Sequence, residues 1–207
     1  MKSKVFIIIV LAFFFTKSID AQSFNGGILA GPVTSQVEGD GYGGFHQLGW
    51  TAGAYVNLPL GNSFSWQTEL KYSLFGSHSD VKEVDAGMWE YNLRLHYIEM
   101  PIMFQYNLGG NLDFITLELG PSLDFLMRFR DDTETSLNEQ APWRFFSVTG
   151  NVGAHFDLSE RWGIGVRSIT SITPIRMKGN VPLFIRGHYY NIVLQAVITY
   201  NLRALGR

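Results

Sequence analysis

Phe64-Ser65-Trp66-Gln67-Thr68-Glu69-Leu70-Lys71-Tyr72-Ser73-Leu74 alternates without a break. Phe64, Trp66, Thr68, Leu70, Tyr72 and Leu74 share one side, and Ser65, Gln67, Glu69, Lys71 and Ser73 the other. A period of two is the mark of a β-strand whose successive side chains point to opposite faces. One face here suits an apolar medium, and the other carries charge.

The pattern recurs on both sides of this run. Trp50, Ala52, Ala54, Val56 and Leu58 oppose Thr51, Gly53, Tyr55 and Asn57. Phe146, Val148, Val152, Ala154, Phe156 and Leu158 oppose Ser147, Thr149, Asn151, His155 and Asp157. Working outward gives eight expected strands, at 24–34, 49–58, 64–75, 92–108, 112–127, 143–158, 162–173 and 184–202. Pro32 interrupts the first, and Ser168 with Ile169 breaks the phase of the seventh. In the fourth, Leu93, Leu95 and Tyr97 are odd, whereas Ile98, Met100, Ile102, Phe104 and Tyr106 are even. A β-bulge near 96–98 would reconcile them.

The connections alternate in length. Those at 59–63, 109–111 and 159–161 are tight, while 35–48, 76–91, 128–142 and 174–183 are long and mostly polar. An all-β, eight-stranded antiparallel up-and-down transmembrane barrel shows this asymmetry, with short turns in the periplasm and long loops outside. Trp66 and Trp162 open upward strands, and Tyr106 and Tyr200 lie near the ends of downward ones, so all four are expected in one aromatic girdle at headgroup depth. Trp50, Tyr72 and Trp143 are candidates for the opposite girdle. A soluble β-sandwich or lipocalin-like barrel also alternates, but would bury the face of Trp66 and Leu70 and leave Glu69 and Lys71 in water.

Composition agrees with a barrel. The 207 residues are 46% hydrophobic, 14% aromatic and only 16% charged, with 22 glycines. A formal charge of −2 argues against nucleic acid as a partner. With no cysteine there is no disulfide, thiolate metal site, cysteine nucleophile or lipoprotein anchor. Lys2 and Lys4 precede the apolar run 5–15, which is too short for a spanning helix of roughly 20 residues and reads as a cleavable signal peptide ending at Ala21. Residues 1–21 are therefore expected to direct export and 22–207 to form the barrel domain, in the outer membrane of a Gram-negative cell.

Several local motifs sit on this frame. They are Leu95-His96-Tyr97-Ile98-Glu99-Met100-Pro101-Ile102, Gln67-Thr68-Glu69-Leu70-Lys71-Tyr72 with its Gly76-Ser77 exit, and Leu119-Gly120-Pro121-Ser122-Leu123. With Ser35-Gln36-Val37-Glu38-Gly39-Asp40-Gly41 and the following Gly44-Phe45-His46-Gln47-Leu48-Gly49, they resemble the PorT-like outer-membrane β-barrel family of Bacteroidetes across essentially the whole mature chain. The resemblance implies a compact, porin-like barrel, and its founding member belongs to the type IX secretion and gliding apparatus. It carries over no catalytic residues. The chain departs from the usual terminal aromatic, since Arg203 to Arg207 follow Tyr200-Asn201-Leu202. Tyr200 and Leu202 are left to address the barrel-insertion machinery.

Eight strands enclose a bore that side chains can fill. Parity places Glu69, Lys71, Glu99, Glu118, Asp124, Arg128 and Arg167 inside as a charge network, with His155 and Gln195. Such charges must pair, because an isolated buried one costs several kcal/mol. They read as a salt-bridged plug, with a gated ion path as the alternative.

No catalytic, cofactor-binding or metal set stands out. His155 has Asp157 and Ser147 on its face, but Ser147 lies roughly 26 Å along the strand at about 3.3 Å per residue. His46, His78, His96 and His188 have no matched partners, and no Gly-x-Ser-x-Gly, His-Glu-x-x-His or phosphate loop occurs. Glu38 and Asp40 lack a full calcium ligand set. Asp80, Glu83, Asp85 and Glu90 make one long loop acidic, and Asp131, Asp132, Glu134 and Glu139 another. These read as solvated loops, with divalent bridging to lipopolysaccharide as the sharper option. Three function classes remain: a non-enzymatic structural or interaction barrel in a secretion or envelope assembly, a narrow channel for small solutes or ions, and an outer-membrane lipid-modifying enzyme. The first needs only a filled lumen and exposed loops. Its partners are outer-membrane lipid and lipopolysaccharide, the insertion machinery and an assembly protein.

Overall fold

The structure, a computed structural model, describes residues 24–79, 92–132, 142–177 and 188–202. The expectations for the signal peptide, the start of the eighth strand at Phe184, the acidic positions Asp80, Glu83, Asp85 and Glu90, and Glu134 and Glu139 lie outside these residues.

Eight strands form in chain order: β1 (Asn25–Glu38), β2 (Gln47–Pro59), β3 (Phe64–His78), β4 (Asn92–Asn107), β5 (Ile115–Asp131), β6 (Phe146–Asp157), β7 (Trp162–Ser171) and β8 (Tyr190–Leu202). Each pairs antiparallel with its neighbour, and β8 closes on β1, so the sheet is a barrel with no free edge. The eight-stranded up-and-down architecture expected from the alternation is the one observed.

The two faces separate as the parity requires. Ile28, Val56, Leu70, Phe104, Leu119, Val152 and Ile198 stand outward and exposed, while Glu69, Lys71, Glu99, Glu118, Asp124 and Arg167 are buried within. An apolar outer wall around a charged interior is the reverse of a lipocalin or sandwich and is matched to lipid. At the short-turn end, Trp66 stacks on Phe104 with ring centroids 4.9 Å apart. Tyr106 meets Phe64 at 4.9 Å and Trp162 meets Tyr200 at 4.8 Å. The side chains of Trp66, Tyr106 and Trp162 are exposed.

Several strand expectations change. β1 runs on through Pro32, which stays paired with Trp50, and reaches Glu38, so the first long loop is shorter than expected. β7 keeps its phase: Ile169 points inward at 1% exposure and Ser168 outward. β4 also keeps its phase, with Leu93, Leu95, Tyr97, Glu99, Met103 and Gln105 all buried on the inner side. The irregularity falls between His96 and Tyr97 as anticipated, but the extra residue is Met127 on β5, since Tyr97 pairs with Leu126 and His96 with Arg128. The apparent phase change in β4 is a change of chemistry along one inner wall, apolar above and polar below.

That apolar upper section is a core inside the barrel. Val33, Val37, Phe75, Leu93, Leu95, Tyr97, Leu126, Ile169, Ile175, Tyr189 and Val193 form one buried cluster. Burying side chains of this size contributes about 1.5–3 kcal/mol each. Residues flanking β6, β7 and β8 extend the sheet over it: Trp143 bridges Arg176, and Arg176 bridges Tyr189. Trp143 therefore packs on this core, with Arg176 4.8 Å above its ring, rather than in the outer girdle. Only Trp50 and Tyr72 of the proposed opposite group meet outside, at 5.2 Å. Below, β5 begins at Ile115 rather than Leu112, because Gly110–Leu112 forms a 3-10 turn. Gly109 and Gly110 enter it with φ of 67° and 59°, a backbone region that favours residues without Cβ.

Candidate functional site: the charged layer of the lumen

Arg167 on β7 is the centre of the layer. Its Nη1 and Nη2 donate to Glu69 Oε2 and Oε1 at 2.8 and 2.7 Å, and its Nε donates to Glu118 Oε2 at 2.6 Å. The paired contact to Glu69 is the bidentate geometry in which guanidinium and carboxylate bind most strongly. β3 and β7 lie four strands apart in the ring of eight, so this ion pair spans the bore from wall to wall. Gly153, the neighbour of Arg167 on β6, makes room for it, because a Cβ there would fall 2.7 Å from the arginine's Cγ.

The acids are braced in turn. Gln67 Nε2 donates to Glu69 Oε1 at 2.7 Å, and Gln105 Nε2 to Glu118 Oε1 at 2.7 Å. Lys71 Nζ lies 3.4 Å from Glu99 Oε2 and 3.3 Å from Gln195 Oε1. Ser73 donates its hydroxyl hydrogen to Glu99, and Ser122 donates to Asp124 at 2.5 Å. Glu99 and Asp124 face each other in the β4–β5 register. Breaking such a buried pair by removing one partner costs about 3–5 kcal/mol, since it strands the other charge in a low dielectric.

Six of the seven residues expected in the network are buried here: Glu69, Lys71, Glu99, Glu118, Asp124 and Arg167. Arg128 is not. The bulge at Met127 shifts the parity of the end of β5, so Arg128 pairs with His96 on the outer side and is exposed. Parity counted along the sequence cannot register an unpaired residue. Alternation did not identify Gln105, Ser73 and Ser122 as braces, although their inward parity was available. Several polar atoms above the arginine have no protein partner among the described residues: Glu99 Oε1, both side-chain atoms of Asn151, and Gln195 Nε2.

The histidine weighed for catalysis faces the lumen, as its parity implied. His155 Nδ1 lies 3.5 Å from Asp157, but Nε2 meets Thr199 Oγ1 at 2.9 Å across β7, and not Ser147. The group faces the lower mouth of the lumen rather than lipid. Among the described residues no three His, Asp or Glu side chains gather as a metal group.

Residues 21–176 match the family described as outer membrane protein beta-barrel domain. The chain belongs to that family. This small outer-membrane barrel is also similar to several solved structures. One is the attachment invasion locus protein Ail of Yersinia pestis, with TM-score 0.48 and 11% identity, covering 87% of this chain and 99% of that one. Another is outer membrane protein AlkL, with TM-score 0.40 and 13% identity over 92% and 97% of the two chains. OprG from Pseudomonas aeruginosa gives 0.38 and 12% over 87% and 95%. No curated protein matches the sequence.

Proposed function

We propose that this outer-membrane barrel is a non-enzymatic structural and interaction protein with a closed lumen. It belongs with the PorT-like barrels and acts as an accessory of a type IX-like secretion or envelope assembly. The observation that carries the closed lumen is Arg167, which reaches across the bore to Glu69 and Glu118 beneath a continuous apolar section. Ions meet first a paired layer and then a dry one, and neither offers a hydrated path. What remains available to a partner is the outer wall and the loops. Lipid and lipopolysaccharide are the partners of the wall, the insertion machinery reads Tyr200 and Leu202, and a protein of the assembly engages the loops.

A lipid-modifying enzyme is disfavoured because the His155–Thr199 pair opens into the mouth, away from acyl chains. The second reading is a narrow channel, favoured by Asn151, Glu99 Oε1 and Gln195 Nε2, whose unpartnered atoms would suit lumen water. Planar-bilayer recording separates the two. The closed barrel gives no steady conductance from purified protein, and continuous porin-like current would put the channel first. Pull-down from detergent-solubilised outer membrane should recover a stable protein complex, and its absence would remove the assembly role.

A further inference from the structure

Below the arginine layer the lumen opens into a cup. Its volume is about 300 Å³, at the lower end of the roughly 300–1,000 Å³ usual for small-molecule sites. It lies at the short-turn mouth, which in this orientation faces the periplasm. Seven carboxamides line it, Asn62 on the turn and Asn25, Asn57, Gln67, Gln105, Asn107 and Asn201 on the strands. No lysine or arginine is among its described lining residues, and its one carboxylate, Asp157, sits beside His155.

The wall is braced. Asn57 Nδ2 donates to Gln105 Oε1 at 2.6 Å, Tyr55 donates its hydroxyl hydrogen to Asn201 Oδ1 at 2.7 Å, and His155 meets Thr199 at 2.9 Å. Two absent side chains shape it. A Cβ at Gly163 would fall on the His155 ring and the Thr199 hydroxyl, and one at Gly27 would fall on the Tyr55 ring. After this bracing, Asn57 Oδ1, Asn201 Nδ2 and the whole Asn25 carboxamide make no hydrogen bond to any described residue. Asn57 and Asn201, each held at one end of its carboxamide and left unpaired at the other, are preorganised for a ligand, since little side-chain freedom is lost on binding.

We propose that the cup binds a single neutral pyranose sugar. A carboxamide offers a donor and an acceptor side by side, which matches neighbouring sugar hydroxyls. The lack of lysine and arginine among the described lining residues disfavours phosphate and carboxylate ligands, and the volume suits one ring rather than a chain. The shared chemistry has two sources, a free periplasmic sugar and the sugar end of a cell-wall glycan. The proposal rests on the closed-lumen reading only in giving the cup a floor.

The test is a titration of the full mature protein, folded in detergent micelles, followed by the side-chain amide NMR signals. The probes are glucose, N-acetylglucosamine and a soluble disaccharide-peptide released from cell wall. Saturable shifts confined to the cup are expected, and Gly163→Val, which would displace His155 and Thr199 of its wall, should abolish them. Asn57→Ala should weaken binding about tenfold, the loss of one well-placed hydrogen bond, and it guards against a valine variant that fails to fold. Tighter binding of the wall fragment than of either sugar assigns the glycan, and equal binding assigns the free solute. Shifts scattered over the barrel, or none that saturate up to about 100 mM, a ceiling well above the roughly millimolar affinity of a weak site, overturn the proposal. Sugar efflux from proteoliposomes reads the floor separately: efflux with intact binding would sink the closed lumen and leave the cup standing.

Discussion

Arg167 shows how much of this barrel hangs on one side chain. It satisfies two carboxylates on two other strands. Arg167→Ala should cost about 3–5 kcal/mol in urea unfolding from micelles, because Glu69 and Glu118 would be left buried without their cation. Replacing all three by Met and Leu should recover most of that loss, since an apolar set of similar volume has no desolvation penalty to offset. If the triple variant were as unstable as the single one, packing rather than charge would hold the layer. The two faces can be tested at adjacent residues. Val152 is 55% exposed on the outer wall and Asn151 is 1% exposed within. Arginine at 152 should cost about 2–4 kcal/mol, the midplane penalty in lipid. Arginine at 151 should cost less, because the buried acids of the lumen outnumber its bases. A larger loss at 151 would mean that the room beside Asn151 is too small for the new side chain.

At the scale of the element, β5 is informative. Its bulge at Met127 turns the end of the strand over, so two arginines of similar inward parity in the sequence have opposite environments. Arg128→Ala should change stability by no more than about 0.5 kcal/mol, as exposed substitutions usually do, in contrast to Arg167→Ala. Deleting Met127 should restore strict alternation and leave Arg128 outward opposite His96, because the residue removed is the unpaired one. A change of no more than about 0.5 kcal/mol on deletion, as for exposed substitutions, would mean that the bulge only resets the count. A marked loss, unrelieved by Arg128→Leu in the same chain, would instead point to the lost twist that a bulge supplies.

The whole molecule is a closed sheet with a lipid-facing exterior, and its behaviour follows from closure. Every strand has two partners, so no edge is left to unravel. The purified mature protein should therefore migrate as a compact band when kept cold in mild detergent and shift after boiling, and it should fractionate with the outer membrane. Recovery as a soluble monomer without detergent would contradict the apolar wall. The interior is divided along its axis into an apolar core above, a charged layer across the middle and a polar cup below. Each part has a different role: the core excludes water, the layer ties opposite walls, and the cup faces the mouth.

Periodicity alone determined the eight strands, their order, the lipid-facing set and the inward direction of six charged residues. That is because a strand has only two faces and a small barrel only one inside. Glu69 and Lys71 could be placed by counting from Trp66, and Val152 by counting from Phe146. The tertiary structure decided what depends on residues distant in sequence. Arg167 chose Glu69, 98 positions away, and Glu118 rather than Glu99 or Asp124, and His155 met Thr199 from another strand. Arg128 left the lumen because one unpaired residue reset the count, and Trp143 left the girdle because the segments around it fold over the apolar core. Alternation reports which way a side chain points, whereas register, bulges and strand neighbours across the bore settle what it meets there.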